Sequence, residues 1–216
     1  MTRAARAASW IAEALSTGRP LAALPPEMAP RGRAEGERVA LAVLDELGIA
    51  PCGLRLLHGA VGPMIEARLL PDGATAAPLR HPVATAALVG VLAESLRPDE
   101  DERPRLAALH AAIDIADHRF THPPEARGAR VADLNGLGFV IAGPPVDIPP
   151  GEFTLHGKPL PARDILAPVA AEARRLGGLP AGALLIAAGL SDPLSAEDGV
   201  VTVDFGAAGR ISARIS

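Results

Sequence analysis

The stretch from Gly157 to Ser216 limits the fold more than any other part of the chain, because it carries start and stop signals for a helix, a buried strand and a hairpin in turn. Pro159 opens a helical pattern in which Ile165, Leu166, Val169, Ala170, Ala173 and Leu176 recur at steps of three and four, and Gly177-Gly178 end it. After the turn Leu179-Pro180-Ala181-Gly182, the apolar run from Ala183 to Ala188 suits a strand buried on both faces. Asp198-Gly199 then turns the chain, Val200 to Phe205 alternates as a strand, Gly206 to Gly209 turns again and Arg210 to Ile215 pairs back. The chain therefore ends in a hairpin.

Upstream, Ser9 to Leu15 reads as a short amphipathic helix anchored by Trp10, Ile11 and Leu15. Pro20, Pro25-Pro26 and Pro30 make an extended connector, and Ala34 to Leu47 forms a second helix with Val39, Val43 and Leu47 on one face and Gly48 as its stop. Leu54 to Leu57, Ile65 to Leu70 and Val83 to Leu92 are candidate strands, although periodicity alone leaves the last open between strand and helix. Pro98 to Arg105 reads as a charged loop leading to a short helix through Leu106 and Leu109, where His110 also lies, which feeds a strand around Ile113 and Ile115. The expected architecture is α+β, a mixed and strongly bent sheet with a few peripheral helices. Residues 1–50 are expected as a helical segment packed on a β-rich body of residues 51–216, the whole forming one compact unit.

Composition removes several classes of function. A net charge of −4 with both signs interspersed gives no basic footprint for nucleic acid and no polybasic membrane patch. One cysteine, Cys52, excludes an internal disulfide and a cysteine zinc cluster. No run approaches the roughly 20 apolar residues that span a bilayer, and Met1 to Leu15 has no signal-peptide core, so the expected location is cytoplasmic. Lys158 is the sole lysine and tyrosine is absent, which confines a Schiff-base route to one residue and rules out a tyrosine acid.

The order of motifs resembles the 2-keto-4-pentenoate hydratase family, also called hydratase/decarboxylase, of the fumarylacetoacetate hydrolase-like fold. The resemblance is carried by Pro159-Leu160-Pro161-Ala162, Leu166-Ala167, Leu179-Pro180-Ala181-Gly182 and Asp204-Phe205-Gly206-Ala207-Ala208-Gly209. It continues upstream in Ala112 to Arg119, in Val131-Ala132-Asp133 with Gly138-Phe139-Val140, and in the N-terminal layout from Ala7 to Gly48. It implies a small 2-oxo or 2-hydroxy-enoic carboxylic acid as substrate, water addition or decarboxylation as reaction, and magnesium or manganese held by three carboxylates. Two of those carboxylates, a glutamate pair on one strand face, fall on Ala84 and Ala86, or in another alignment on Gly62 and Met64. The third falls on Asp114, a single short carboxylate and hence a weak metal ligand. The family's lysine falls on Arg55, which can hold an anionic oxygen but takes no proton. Its substrate-carboxylate loop falls on Ala187, Ala188 and Gly189, and an asparagine on Leu134, one place before Asn135. The resemblance thus implies a magnesium or manganese cofactor that these replacements have largely removed.

The densest polar constellation is Asp114, Asp117, His118 and Arg119. Strand alternation puts Asp114 and His118 on one face as an acid and base pair, and Asp117 with Arg119 on the other. The plainer reading is that Asp117 and Arg119 form a structural salt bridge and His118 caps the strand end. Arg55, Asp114 and His118 are the candidate catalytic residues; Arg119, Asp133 and His58 are candidate substrate contacts, although Asp133 before Asn135-Gly136 also suits a plain turn. Phosphate-loop, nucleophile-elbow and zinc-helix motifs are absent. Two classes of function follow: a lyase of the hydro-lyase type on a small carboxylic acid, or an inactive homologue serving as a companion enzyme subunit or ligand-binding module. A metal-free isomerase or hydrolase on the same scaffold is a third, and assembly into a homo-oligomer is left open.

Overall fold

Thr2 caps the first helix by accepting a hydrogen bond from the amide of Ala5, and Gly18 ends it in the left-handed conformation. In the computed structural model, which describes residues 2–146 and 153–215, this helix is α1 (Arg3–Thr17) and the second is α2 (Arg33–Leu47). Small residues on α1, among them Ala7, Ala8 and Ala12, are buried with Ile11, whereas Trp10 is exposed and is not the anchor expected.

Strands β1 (Gly53–Leu57) and β2 (Ala60–Met64) form a hairpin on the two-residue turn His58-Gly59, both with positive φ, 50° and 69°. The expected strand over 65–70 is replaced by this earlier strand, a 3-10 turn at Glu66–Arg68 and the short β3 (Leu69–Pro71). Pro63 is tolerated in β2 because β2 is an edge strand. After β4 (Thr75–Ala76) come β5 (Val83–Leu92) and β6 (Leu106–Ala116). The expected short helix at Leu106 and Leu109 is part of β6: that segment suits a helix by period, but its backbone is committed to β5, where Leu106 pairs with Leu92 and His110 with Val89. The segment before Asp133 is the helix α3 (Arg127–Ala132), and β7 (Leu137–Ala142) follows it. β8 (Thr154–Leu155) and β9 (Lys158–Pro159) precede α4 (Ala162–Arg175), which starts three residues after Pro159. β10 (Leu184–Ala187) and the terminal hairpin β11 (Val200–Asp204) and β12 (Arg210–Ile215) match expectation.

The main sheet is seven-stranded and mixed, in the order β2-β1-β10-β5-β6-β7-β3, with β1–β10 and β3–β7 parallel. One face, through Ala87, Val89, Ala112 and Ile186, packs on α1 and α2. The other, through Ala86, Leu88, Ile113 and Ile141, packs on Val201, Val203, Ile211 and Ala213 of the three-stranded sheet β11-β12-β4, while Leu185 and Ala187 meet α4. The sheet is curled into a half-barrel, as one contact requires. Arg55 on β1 binds Asp114 on β6, with β10 and β5 between them. Three strand steps in a flat sheet are about 14 Å, too far for those two side chains to meet.

Outside the sheet, α2 and α4 are joined by a closed ring of charges: Glu37 and Glu172 each bridge Arg33 and Arg175. Burial pushes the Glu172 carboxyl up, but hydrogen bonds from Arg175 and Arg33 outweigh it and hold the group below its ordinary value. Its contribution is complete above the ordinary glutamate range and is lost as pH falls through the lowered folded value. Glu172→Gln is therefore expected to cost about 1 kcal/mol in urea unfolding at pH 7, and the difference from wild type should shrink towards acid. An equal deficit at both pH values would contradict the ring.

Candidate functional site

The inner face of β5 and β6 is apolar up to Ala87 and Ala112 and then turns polar at Thr85 and Asp114, which stand opposite each other in register. Asp114 is fully buried and accepts from Arg55 twice, at Oδ1 from Nε (2.5 Å) and at Oδ2 from Nη2 (2.6 Å). Arg55, also fully buried, gives Nη1 to the carbonyl of Asn135 at 2.9 Å. The side-chain amide of Asn135 donates to the carbonyls of Ala60 and Leu57, so the β1–β2 hairpin and the turn after α3 are locked to the same pair. The anionic oxygen that Arg55 holds is that of Asp114, and Arg55 itself does not line the cavity described below.

A second buried carboxylate, Asp133, organises the end of β6. Its Oδ2 lies 3.0 Å from Nδ1 of His118 and accepts from the amide of Arg119, and its Oδ1 accepts from Nε of Arg119 at 2.6 Å. Arg119 also donates to the carbonyls of Asp133 and Leu137. The expected Asp117–Arg119 salt bridge is thus replaced by Arg119–Asp133, while Asp117 accepts from the backbone of Arg80 and His81. Asp133 is not a plain turn residue and Arg119 faces inward rather than towards a ligand. The turn it leads into is strained: Leu134, Asn135 and Gly136 all have positive φ, at 52°, 52° and 67°. A Cβ at Gly136 would lie 2.8 Å from Cε1 of His118, so only glycine lets the ring sit there.

In the neutral imidazole, the carboxylate of Asp133 as acceptor assigns the hydrogen to Nδ1 of His118 and leaves the lone pair on Nε2. Nε2 has no protein partner among the described residues. His118 and Asp114 both line a cavity of about 310 Å³ with Thr85, Asn135, Leu57, Val83, Ala116 and Val131. His58, at the hairpin turn, and His81 lie on its wall, as do Arg127 and Arg130 of α3. Asp114, His118 and His58 are therefore brought together, while Arg55, Arg119 and Asp133 stand behind them. His110 is remote, with Nδ1 2.9 Å from the carbonyl of Gly143.

Sequence reasoning missed Thr85, Arg127 and Arg130. The arginine spacing of three, just after Pro123-Pro124, was an available helix signal. The guanidinium of Arg130 has no acceptor among the described residues, and Arg127 gives Nη2 only to the carbonyl of Gly59. With Asp114 neutralised by Arg55, the cavity carries an excess of positive charge.

The donor set does not suit a hard divalent cation. Ala84 and Ala86 pack in the opposite core with Leu88 and Ile113, so they do not face Asp114 at all; the β5 positions on its side are Val83 and Thr85. Neither is a carboxylate, and Thr85 Oγ1 already accepts from the amide of Gly189. Gly62 and Met64 of the other alignment offer none either. Both oxygens of Asp114 face a permanent cation, and no group of three His, Cys, Asp or Glu able to hold a metal occurs among the described residues.

A curled mixed sheet with helices against its concave face, and a site at the β1, β5 and β6 positions, is the fumarylacetoacetate hydrolase-like fold, of α+β class. No family model and no curated protein sequence matches the chain. Among solved structures, 4-oxalocrotonate decarboxylase from Pseudomonas putida G7, complexed with calcium and acetate, matches over 100% of this chain and 99% of its own, with a TM-score of 0.73 at 18% identity. The same enzyme with magnesium and adipate gives 0.72. The 5-carboxymethyl-2-hydroxymuconate delta-isomerase from Mycobacterium smegmatis reaches 0.50 at 13% identity, over 77% of this chain and 75% of its own. At such identities the likeness is one of fold. No helix among the described residues is long and apolar enough to cross a membrane.

Removing Asp114 would leave the Arg55 charge buried and unanswered. Asp114→Ala is expected to cost about 3–5 kcal/mol in chemical unfolding, and combining it with Arg55→Met should recover most of that. A single-variant cost near zero would contradict the buried pair.

Proposed function

We propose that the chain binds a small 2-oxo or 2-hydroxy-enoic carboxylic acid in the Asp114 cavity and moves a proton on it, in a water addition or decarboxylation of the lyase type. The observation that carries this reading is His118, oriented by Asp133 at 3.0 Å on a wall that also holds the carboxylate-free Arg127 and Arg130. Those arginines hold the substrate carboxylate by charge-assisted hydrogen bonds. Nε2 of His118 takes the enol proton and a proton is returned at carbon, the ketonisation step shared by these reactions. Asp114, closed by Arg55, shapes the floor and keeps a second negative charge from opposing the substrate. No step runs through a metal, because the donor set does not fit one.

The expected result with 2-hydroxypenta-2,4-dienoate is ketonisation faster than in buffer and indifferent to EDTA, reduced about 100-fold or more by His118→Gln with the fold intact. A rate equal to buffer would sink the catalytic reading. It would favour the second, an inactive homologue acting as ligand-binding module or companion subunit, for which the engagement of Asp114 by Arg55 is the motivating observation. Co-purification with an enzyme subunit would then be its mark, and cytoplasmic location would be read from fractionation.

A further inference from the structure

On the other side of His118 lies a second cavity of about 330 Å³, between the end of α1 and residues 78–80. Its wall holds four arginines, Arg19, Arg68, Arg80 and Arg119, against one carboxylate, Asp117. Asp117 is occupied by the backbone amides of His81 and Arg80, and Arg119 is neutralised by Asp133. Arg80 gives Nη2 to the carbonyl of Gly18 at 2.5 Å, which fixes its position without cancelling its charge. The guanidinium groups of Arg19 and Arg68 have no hydrogen-bond or ion-pair partner among the described residues. Arg68 instead lies over the ring of Phe139, 4.7 Å from its centre, which holds the fork in place.

Four arginines against the single carboxylate of Asp117 leave an excess of positive charge: burial and then the nearby Arg119 work against the charge of Arg68, and Asp117 offsets them only in part. Soluble surfaces normally intersperse signs, so such a grouping calls for an anion to answer it. Guanidinium forks match oxyanions in geometry as well as charge. We infer that this cavity is an anion site, separate from the Asp114 cavity, that takes a doubly charged oxyanion group, phosphoryl or small dicarboxylate, between Arg19, Arg68 and Arg80. The site stands whether or not the first cavity is catalytic, and it shares the His118 wall with it.

The test is calorimetry on the full chain at low ionic strength, titrating inorganic phosphate and, separately, succinate; the tighter of the two identifies the source of the charge. One site per chain that depends on Arg19 and Arg68 is expected, whatever binds in the Asp114 cavity. Arg68→Met, which keeps an apolar stem against Phe139, should weaken binding about tenfold, and Arg19→Ser, an exposed change with little bearing on folding, should weaken it about threefold. Arg130→Ser in the first cavity should leave it unchanged. Failure of both anions to bind below about 10 mM would overturn the proposal. So would binding that survives both Arg68→Met and Arg19→Ser, or binding abolished by Arg130→Ser.

Discussion

A guanidinium with no access to water has to be met by acceptors that cannot drift away, and the buried Arg55 is met by both oxygens of Asp114 and the carbonyl of Asn135. Leaving any of these out would expose several kcal/mol of unpaid desolvation. Because the three partners come from β1, β6 and the turn after α3, the requirement is also a requirement on shape: β6 has to approach β1 across two intervening strands, and the sheet has to curl. The strained turn at Leu134, Asn135 and Gly136 is the other half of that demand, since it aims one carbonyl at Arg55 and seats His118 against Gly136.

The same interaction sets the electrostatics of the site. An aspartate facing an open cavity would repel a carboxylate ligand and attract a cation; closed by arginine it does neither. The cavity is left with histidines and the arginines of α3, a lining that fits an acid anion and proton transfer. This separates the chain chemically from a site built to hold a hard divalent cation.

Much of the fold was legible because the punctuation was local. Gly48, Gly177-Gly178, Asp198-Gly199 and Gly206 to Gly209 end helices or turn hairpins where the sequence places them. Leu106 to Leu109 was misread because Arg-Leu-Ala-Ala-Leu-His has helical spacing, and only the long pairing with β5 decides against it. Of the candidate site, Asp114 and His118 share a wall, but strand alternation alone did not secure this, since β6 ends at Ala116 with a register shift and His118 lies two residues beyond. The partner exchange by which Asp133, not Asp117, receives Arg119 was not legible either, since it depends on where the turn after α3 lands. Ala84 and Ala86 lie on the face of β5 away from Asp114, because one residue along a strand is a full reversal of face.

The central claim, that an arginine stands where a cation would otherwise meet Asp114, is tested most directly by titrating manganese into metal-stripped protein, with and without oxalate, and following it by calorimetry. The account predicts no binding tighter than about millimolar in either case. Micromolar manganese binding that is lost in Asp114→Asn would contradict it, because Asp114 would then have to release Arg55 to hold the metal.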